Sequence, residues 1–406
     1  MTEVIVVGMG YVGLPIAIAA AESNFNVIGY DINKQKIKDL KANKSFISEV
    51  SAAQLGSLQS NNKLIFHDVL PQRDKPGIWI IAVPTPLDSN REPDISFLLE
   101  ACQEISKKVY EGSLIINEST SYIGTLNGLI KPTINELSNL KNLKYAVAPE
   151  RIDPGNVTWN LRNTPRVIAG VDSESTKLAI DFYSKFAGPI NKASSPEIAE
   201  AAKLFENTFR QVNIALVNEL SMIASKYQLS THEIINAAST KPFGFMTFYP
   251  SIGVGGHCIP VDPIYLGYSA QKVGMEAKFV ALSNIVNRSA PKFTASRISQ
   301  FFGGKILGKR IQIAGLAYKP NSSDTRESPA IELMYYLSKL GAIVSWSDPC
   351  VEVYDKQLST NLSLDIDLGL IVTPHDAFNF TPWKESNVPV LDLSATAKNF
   401  GWPKFF

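Results

Sequence analysis

Residues 3–23, EVIVVGMGYVGLPIAIAAAES, decide the fold of this chain. The β-branched run VIVV predicts a buried strand, and the alanine-rich stretch after the glycines predicts a helix. A second strand, NVIGYDIN, follows that helix. Strand, tight turn, helix and strand in this order predict the first βαβ unit of a parallel sheet.

The turn after the first strand carries a specific pattern of glycines. Gly8, Gly10 and Gly13 form G-x-G-x-x-G, which combines a tight turn, close approach of the backbone to a pyrophosphate and close helix packing. Asp31 ends the second strand, where a carboxylate accepts hydrogen bonds from ribose hydroxyls and repels a 2′-phosphate. The pattern predicts an NAD site; a structural glycine turn is the alternative, which the flanking strands, helix and acid disfavour.

Polar residues follow two further buried strands, within residues 78–86 and 113–125. Ligands of open α/β sheets lie beyond the carboxyl ends of the strands, so Thr85 and Thr120 are candidates to contact the cofactor or a water. Turn chemistry alone is the alternative for both threonines.

A later strand delivers Glu150 and Arg151 to the same edge of the sheet. The two charged residues are either an ion pair that holds the loop or part of the site. Their position in the sequence leaves both interpretations open.

One long helical run begins near Pro196. Its apolar residues recur at spacings of three or four and form a stripe: Ala199, Ala202, Phe205, Phe209, Val212, Leu216 and Leu220. Lys203, Asn207 and Arg210 share another face by i, i+4 and i+7 spacing. A lysine and an amide on one face can hold a developing oxyanion, although an exposed polar face is the alternative. A helix this long between two domains is also a candidate dimerisation surface.

Residues 248–266, FYPSIGVGGHCIPVDPIYL, place Cys258 in a glycine-rich loop. The glycines permit close approach to a ligand. A helix predicted to start near Pro260 would put Cys258 at its N-terminus, where the helix dipole stabilises a nucleophilic thiolate. An inert cysteine in a structural turn is the alternative.

A third segment, residues 309–349, repeats the order of strand, loop, helix and strand, and Asp348 stands where Asp31 stood. Its loop lacks G-x-G-x-x-G and carries Lys319 and Arg326. These side chains predict a nucleotide-like ligand rather than a second NAD. A domain kept only for stability or assembly is the alternative.

The composition excludes several classes of protein. The 406 residues include 39 basic and 38 acidic ones, so no long-range field attracts nucleic acid or an anionic membrane. Cys102, Cys258 and Cys350 are too few for a disulfide framework and lack zinc-site spacing, which predicts a reducing cytoplasm and no metal. We expect no signal peptide and no membrane-spanning segment.

Seven motifs, in order along nearly the whole chain, resemble the UDP-glucose/GDP-mannose dehydrogenase family. They are GMGYVGLP at 8–15, VPTP at 83–86, EST at 118–120, APER at 148–151, KLFENTFRQVNIALVNEL at 203–220, GVGGHCIPVDP at 253–263 and GLAYKPNSSDTRESP at 315–329. The resemblance implies a three-part enzyme that oxidises C6 of a nucleotide-bound sugar to a carboxylate with two NAD and no metal. KPFGF and His257 resemble the N-acetylhexosamine branch, most closely the UDP-N-acetylglucosamine 6-dehydrogenases.

The implied architecture is an α/β fold with two Rossmann-like parallel-sheet domains joined by a central helical domain with one long helix. We expect an NAD-binding domain at 1–190, the central domain with the cysteine loop at 191–295, and a UDP-sugar-binding domain at 296–406. The resemblance implies a homodimer or higher homo-oligomer, and the long helix is the expected contact surface.

The implied chemistry requires a nucleophile. A four-electron oxidation needs two hydride transfers from one carbon, and a thiolate that adds to the intermediate aldehyde makes the second transfer feasible. By resemblance, Cys258 is that nucleophile, Lys203 and Asn207 polarise the C6 oxygen, and Asp262 moves protons or orients water.

Glu150 and Thr120 match positions assigned to water activation. The expected cofactor contacts are Gly8, Gly10, Tyr11, Val12, Gly13, Asp31, Thr85, Thr120 and Arg326. The expected substrate contacts are Arg151, Lys203, Asn207, Arg210, Phe248, Tyr249, Gly255 and Lys319.

The chain departs from the family pattern at two positions, Ile123 for a frequent proline and Ser251 for a common glycine. UDP-N-acetylglucosamine is the substrate that the resemblance favours; UDP-N-acetylmannosamine and UDP-glucose are alternatives. A two-electron hydroxyacid dehydrogenase and a non-catalytic sensor of NAD and nucleotide sugar remain as alternatives from other classes.

Overall fold

The structure is a computed structural model, and it describes residues 3–47, 50–152, 158–396, 398 and 400–406. Its contacts divide the chain into two compact units. The first unit comprises Met1–Glu206 and Ile264–Val273, and the second comprises Asn207–Pro263 and Gly274–Phe406.

A large sheet lies in the first unit. Its strands are β1 (Glu3–Val7), β2 (Asn26–Tyr30), β3 (Leu64–His67), β4 (Gly77–Ile81), β5 (Leu114–Asn117), β6 (Lys144–Val147), β7 (Arg166–Gly170) and β8 (Ile190–Lys192). They follow the order β3-β2-β1-β4-β5-β6-β7-β8, and the pairing is parallel except between β6 and β7. The crossing from β3 back through β1 to β4 is that of a doubly wound Rossmann sheet.

Helices cover both faces of this sheet because its strands are apolar on both sides. They are α1 (Gly13–Glu22), α2 (Lys34–Lys41), α3 (Ala52–Ser60), α4 (Ser96–Ser106), α5 (Lys131–Ser138), which continues from a π-helical turn (Leu126–Ile130), and α6 (Ser173–Tyr183). Along β1, Val4 and Val6 join one buried cluster while Ile5 and Val7 join another. This alternation confirms the predicted parallel sheet with two covered faces.

The predicted long helix is present as α7 (Pro196–Lys226), with 31 residues. It is followed by α8 (Thr231–Ser239), α9 (Asp262–Lys272) and α10 (Lys278–Phe301). Three residues of the predicted apolar stripe of α7 are exposed, Phe205, Phe209 and Leu216 at 65, 40 and 62% accessibility, whereas Ala199 is buried. The face that is buried carries polar and small residues instead, among them Asn207, Gln211 and Asn218.

Those buried polar residues are matched by α10. Ser283 donates to the side-chain oxygen of Gln211 at 2.9 Å, and Asn287 donates to the Gln211 carbonyl at 3.1 Å. Asn218 donates to the side-chain oxygen of Asn287 at 3.0 Å. Because buried amides are costly without partners, this ladder specifies how α7 and α10 pair.

A smaller sheet in the second unit contains β9 (Arg310–Ala314), β10 (Ile343–Ser347), β13 (Leu368–Ile371) and β14 (Val390–Asp392), with α11 (Pro329–Lys339) and α12 (Thr381–Lys384). Its order is β10-β9-β13-β14, all parallel. A short antiparallel pair, β11 (Val353–Tyr354) and β12 (Gln357–Leu358), follows β10. Two Rossmann-like sheets and a long central helix confirm the predicted fold class.

In the part of the chain that the structure describes, no helix combines the length and apolar character needed to cross a membrane.

Glu200 ties α7 to the segment before α5. Its carboxylate accepts hydrogen bonds from the backbone N–H of Gly124 at 2.6 Å and of Leu126 at 2.9 Å. Burial raises the pKa of Glu200 to about 7, and these N–H donors oppose the rise.

We expect this carboxyl to make stability depend on pH. Between its ordinary pKa of 4.5 and a folded pKa of about 7, the folded protein holds a proton that the unfolded chain has released. Its contribution, about 3 kcal/mol, is therefore present at low pH and lost as the pH rises through 7. Urea unfolding from pH 5 to 8 should show a smaller fall in unfolding free energy for Glu200→Gln than for wild type. The exposed Glu136→Gln is the control, and equal slopes for all three proteins would refute the expectation.

Candidate active site

Of the three glycines in the turn after β1, one has open space where a Cβ would lie. Gly8 has φ +100°, and a Cβ there would lie 2.4 Å from the carbonyl oxygen of Ala82. A Cβ on Gly13 would lie 1.8 Å from the carbonyl oxygen of Gly8. A Cβ on Gly10 would meet no atom within 4 Å. Gly8 and Gly13 therefore serve the packing of the turn, and Gly10 leaves room for a diphosphate to reach the start of α1.

Asp31 is held in place at the end of β2. One carboxylate oxygen accepts from the N–H of Met9 at 2.9 Å and from the ammonium of Lys36 at 2.6 Å, and the other accepts from the N–H of Asn33 at 2.9 Å. Lys36 was not among the residues predicted from the sequence. The signal was available, since a lysine five residues after the acid falls in the first turn of α2.

Thr85 and Thr120 lie, half-buried, beyond the ends of β4 and β5 as predicted. Ser119 links these two strand ends, because its hydroxyl donates to the carbonyl of Val83 at 2.8 Å. Ile123, where the family resemblance predicts proline, donates its N–H to the hydroxyl of Ser269 at 3.0 Å. Proline has no N–H, so this departure adds a bond that the usual residue cannot make.

Four ionisable side chains form a cluster where β5 and β6 end, β7 begins and α6 ends: Glu118, Glu150, Arg166 and Tyr183. The Arg166 guanidinium contacts the carboxylates of Glu118 and Glu150, and the Tyr183 hydroxyl donates to Glu118. Burial raises the pKa of Glu118 to about 7, against the opposing effect of Arg166. We call these four residues the buried charge cluster.

Glu150 behaves differently from Glu118. Burial alone would raise its pKa, but Arg166, the N–H groups of Ile152 and Arg151, and the charge of Lys203 together hold the pKa below its ordinary value. Glu150 is therefore ionised at neutral pH. Its electrostatic link to Lys203 places two of the predicted catalytic residues in one neighbourhood of the first unit.

Arg151 forms an ion pair, but its partner is Glu206 on α7, at 2.7 Å, rather than Glu150. Its guanidinium also donates to the carbonyl of Pro165 at 2.7 Å. Arg151 therefore connects the loop after β6 to α7 within the first unit.

In the second unit, Asn207 and Asp262 meet. The side-chain amide of Asn207 donates to the carboxylate of Asp262 at 2.5 Å, and both residues are buried. Helix α9 begins at Asp262, so the predicted start near Pro260 is two residues early. The carbonyl of Cys258 accepts from the N–H of Asp262 at 2.8 Å, which makes the cysteine the residue one turn before the helix. The three cysteines are not in disulfides, and Cys258 is half-buried.

The glycines of the cysteine loop pack against protein. A Cβ on Gly255 would lie 2.7 Å from the Cβ of Tyr318, and one on Gly256, at φ +80°, would lie 2.7 Å from the Tyr318 ring. The N–H of Gly256 donates to the carbonyl of Arg326 at 3.0 Å. The close approach predicted for a ligand is therefore made, in this structure, by the loop that follows β9.

Gly253 lies close to a helix carbonyl that has no helical donor because of a proline. Pro291 lies inside α10 and offers no N–H to the carbonyl of Asn287, and a Cβ on Gly253 would lie 3.0 Å from that carbonyl oxygen. Ser251, the departure from glycine, donates its N–H to the side chain of Asn218 at 2.8 Å and its hydroxyl to the carbonyl of Gly253 at 2.7 Å. The polar ladder of α7 and α10 thus extends to the cysteine loop.

His257 and Arg326 are joined directly. Arg326 donates to Nδ1 of His257 at 3.1 Å and pairs with Asp324 at 2.5 Å. Burial raises the pKa of Asp324, but Arg326 outweighs it and the net pKa is lowered. Arg326, predicted at the cofactor, is in this structure a partner of the residue that precedes the cysteine.

The remaining predicted substrate residues are spread over the second unit. Arg210 is exposed, and Lys319 is half-buried beside the Tyr318 ring. Phe248 packs edge-on against Phe209 with ring centroids 6.0 Å apart. The Tyr249 ring stacks on the His232 ring with centroids 5.1 Å apart.

Asp348, Cys350 and His375 bring a carboxylate, a thiol and an imidazole within 4.8 Å of one another. Hydrogen bonds already use the imidazole and the carboxylate: Nε2 of His375 donates to Asp348 at 3.0 Å and Nδ1 accepts from the N–H of Asn321 at 2.9 Å. Asp348 also accepts from the N–H groups of Leu316 and Cys350. The arrangement serves to close the turn after β9.

Comparisons with known proteins cover all three parts of the chain. Residues 2–187 match the NAD binding domain of the UDP-glucose/GDP-mannose dehydrogenase family, residues 197–289 its central domain, and residues 312–395 its UDP binding domain. The UDP-N-acetyl-D-glucosamine 6-dehydrogenase of Pseudomonas aeruginosa is 33% identical over 87% of this chain and 84% of its own length. The UDP-N-acetyl-D-mannosamine dehydrogenase of Campylobacter jejuni is 35% identical over 84% of each.

A solved structure is similar over its whole length. The UDP-D-ManNAc dehydrogenase from Pyrococcus horikoshii covers 99% of this chain and 98% of its own, with a TM-score of 0.86 and 31% identity. This chain therefore belongs to the UDP-glucose/GDP-mannose dehydrogenase family. It is an NAD-dependent nucleotide-sugar dehydrogenase, which confirms the predicted enzyme class and cofactor.

The three glycines of the first turn should respond differently to alanine. Gly10→Ala should fold normally, because its Cβ meets nothing, but weaken NAD binding about tenfold or more by narrowing the space for the diphosphate. Gly8→Ala and Gly13→Ala should lose about 1–3 kcal/mol of stability through strain and collision. Thermal unfolding and NAD titration calorimetry measure the two effects. Normal NAD affinity in Gly10→Ala would contradict the assignment of the open space.

Proposed function

We propose that this chain oxidises C6 of a UDP-N-acetylhexosamine, with UDP-N-acetylglucosamine as the first choice, to the uronic acid in two NAD-dependent steps. The observation that supports this most is the glycine-rich loop that carries Cys258 one turn before Asp262, whose carboxylate accepts a hydrogen bond from Asn207. A two-electron dehydrogenase has no use for a thiol at this place.

The sugar is chosen by the residues of this loop. The family relatives described above act, by their names, on N-acetylglucosamine and on N-acetylmannosamine, at nearly equal identity to this chain. His257 before the cysteine resembles the N-acetylhexosamine branch and so favours it over glucose. UDP-N-acetylmannosamine is the second candidate, because the named structural relative acts on it.

Bound NAD would accept one hydride from C6 at each oxidation. In the first, Lys203 and Asn207 polarise the C6 oxygen, and Asp262 takes part in removing the hydroxyl proton. The thiolate of Cys258 then adds to the aldehyde carbon, which forms a thiohemiacetal. Loss of the second hydride leaves a thioester on Cys258, with Lys203 and Asn207 stabilising the oxyanions on the way.

Water then releases the product. Glu150 and Thr120 orient and activate the water, and the low pKa of Glu150 means that its carboxylate is ionised and able to accept a proton.

Recognition residues are proposed for each ligand. For NAD they are Gly8, Gly10, Tyr11, Val12, Gly13, Asp31, Thr85, Thr120 and Arg326. For the sugar nucleotide they are Arg151, Lys203, Asn207, Arg210, Phe248, Tyr249, Gly255 and Lys319. We retain residues 1–190, 191–295 and 296–406 as functional domains, and the reducing cytoplasm as the compartment, because a catalytic thiol must stay reduced.

The stoichiometry of NADH tests this function. Wild type should form two NADH per molecule of uronic acid, and turnover across UDP-N-acetylglucosamine, UDP-N-acetylmannosamine, UDP-glucose, UDP-galactose and GDP-mannose should be highest with the first. Cys258→Ser should lose acid formation, because serine is a poor nucleophile for the aldehyde, while its calorimetric affinity for the UDP-sugar stays close to wild type. One NADH per sugar, with an active serine variant, would establish a two-electron dehydrogenase. Binding without NADH would establish a sensor, and a clear preference for UDP-glucose would reject the branch assignment.

We also propose that the chain forms a homodimer through an exposed apolar stripe made of Leu216 and Ile223 on α7 and of Tyr227 directly after it. Within the second unit, Leu216, Ile223 and Tyr227 are 62, 53 and 74% accessible, and Phe279 and Ile285 on α10 are also exposed. Apolar surface of this extent on two paired helices is typical of a subunit contact, and a second copy offers the complementary apolar face.

Charge placed on this stripe should separate the subunits. Leu216→Asp combined with Ile223→Asp should shift the sedimentation mass from dimer to monomer, because two carboxylates would be buried in an apolar contact. Leu307→Asp, at another exposed leucine, is the matched control and should leave the mass unchanged. A wild-type monomer at micromolar concentration, or a double variant that remains dimeric, would contradict the proposal.

A further inference from the structure

Arg166 stands between two carboxylates at the centre of the buried charge cluster. It is the first residue of β7, and only 4% of its side chain is accessible. The guanidinium contacts Glu118, whose side chain is fully buried, and reaches Glu150 at 3.1 Å and 3.3 Å. It also donates to the carbonyl of Ala148 at 3.3 Å.

Tyr183 holds Arg166 from the other side. The guanidinium carbon lies 4.6 Å from the centre of the Tyr183 ring, and the Tyr183 hydroxyl donates to Glu118. Arg166 is thus enclosed by an aromatic face and a carboxylate that have no access to solvent. Such a guanidinium stays charged, and it can move only if a buried carboxylate loses its counter-charge.

The two carboxylates are not equivalent. Glu118 is sealed, whereas 13% of the Glu150 side chain is accessible, so of the two only Glu150 can meet water. One oxygen of Glu150 accepts from the N–H of Arg151 at 2.7 Å and of Ile152 at 2.8 Å, and the other faces Arg166. These donors on both oxygens define the plane of the carboxylate.

We propose that Arg166 is a positioning residue for product release, and this inference rests on the proposed function of Glu150 as the base. Arg166 holds the Glu150 carboxylate ionised and oriented, and Glu118 with Tyr183 holds Arg166. In the assisted step, a water oxygen bonds to the thioester carbon and the carbon–sulfur bond breaks with its electron pair on Cys258. Glu150 accepts the proton that the water loses.

We expect the oxidation steps and the hydrolysis step to respond differently to the loss of Arg166. Both hydride transfers precede hydrolysis, so Arg166→Gln should retain a burst of two NADH per active site and then turn over about tenfold more slowly or worse. The thioester on Cys258 should accumulate, which intact-protein mass spectrometry and trapping with hydroxylamine detect. Lys177→Gln, which removes an exposed cation from α6, is the matched control and should behave as wild type.

The pH profile distinguishes a positioning role from a structural one. Arg166 lowers the pKa of Glu150, so its removal raises that pKa and leaves the base protonated at a higher pH. The acid limb of the hydrolysis rate should therefore move to higher pH by about one unit or more in Arg166→Gln, and less in Arg166→Lys, which keeps the charge. If hydrolysis and burst fall together with no shift of the limb, or if neither changes, the proposal is wrong.

Two milder variants test the proposal if Arg166→Gln does not fold. Should Arg166→Gln not fold, Arg166→Lys and Tyr183→Phe decide: the proposal requires an intact burst with slower hydrolysis in both, and wild-type hydrolysis in both overturns it. Failure of the inference is distinct from failure of the function. A wild-type enzyme that makes no uronic acid refutes the function, whereas an active wild type with unshifted Arg166 variants refutes the inference alone.

Discussion

Each sheet depends on a close backbone crossing where its first strand turns into the next segment. Gly8 lies against the carbonyl of Ala82 and Gly315 against that of Thr373, both with φ near +100°, so no side chain fits at either place. An acid at the end of the neighbouring strand, Asp31 or Asp348, then accepts the first N–H of the turn. The same physical solution thus builds both Rossmann-like sheets.

The two turns differ in what they leave open. After Gly8 the turn continues with Gly10 and empty space, whereas after Gly315 it continues with Ala317, which is buried and donates its N–H to Asp348. His375 takes a further position on the Asp348 carboxylate. The second turn therefore lacks the open space that Gly10 leaves in the first, which agrees with a single NAD binding domain in the chain.

Burial of charge shapes the first unit in the same direct way. Glu118 and Glu150 lie just beyond the ends of the neighbouring strands β5 and β6, and the Arg166 guanidinium contacts both carboxylates. Because Glu118 has lost all contact with solvent, its pKa rises, while Glu150 keeps its charge through Arg166 and backbone N–H groups. The hydrolysis proposed above needs a base whose carboxylate is ionised, oriented and partly accessible.

The sequence alone determined the βαβ units, the NAD turn, the long helix and the family, because strand periodicity, glycine spacing and order along the chain are local properties. Motifs also singled out Glu150, Asn207 and Asp262 as candidate site residues. Tertiary structure decided what those motifs could not express: the pairing of Asn207 with Asp262, the choice of Glu206 as the partner of Arg151, and the packing of the loop glycines on Tyr318. It also decided which residues of α7 are buried: Gln211 and Asn218 are buried, the side-chain oxygen of Gln211 accepts from Ser283 and the amide of Asn218 donates to Asn287 of α10, and Leu216 is exposed. Arg166 carried no local signal, because its contacts with Glu118 and Glu150 form only where β5 and β6 end beside the start of β7.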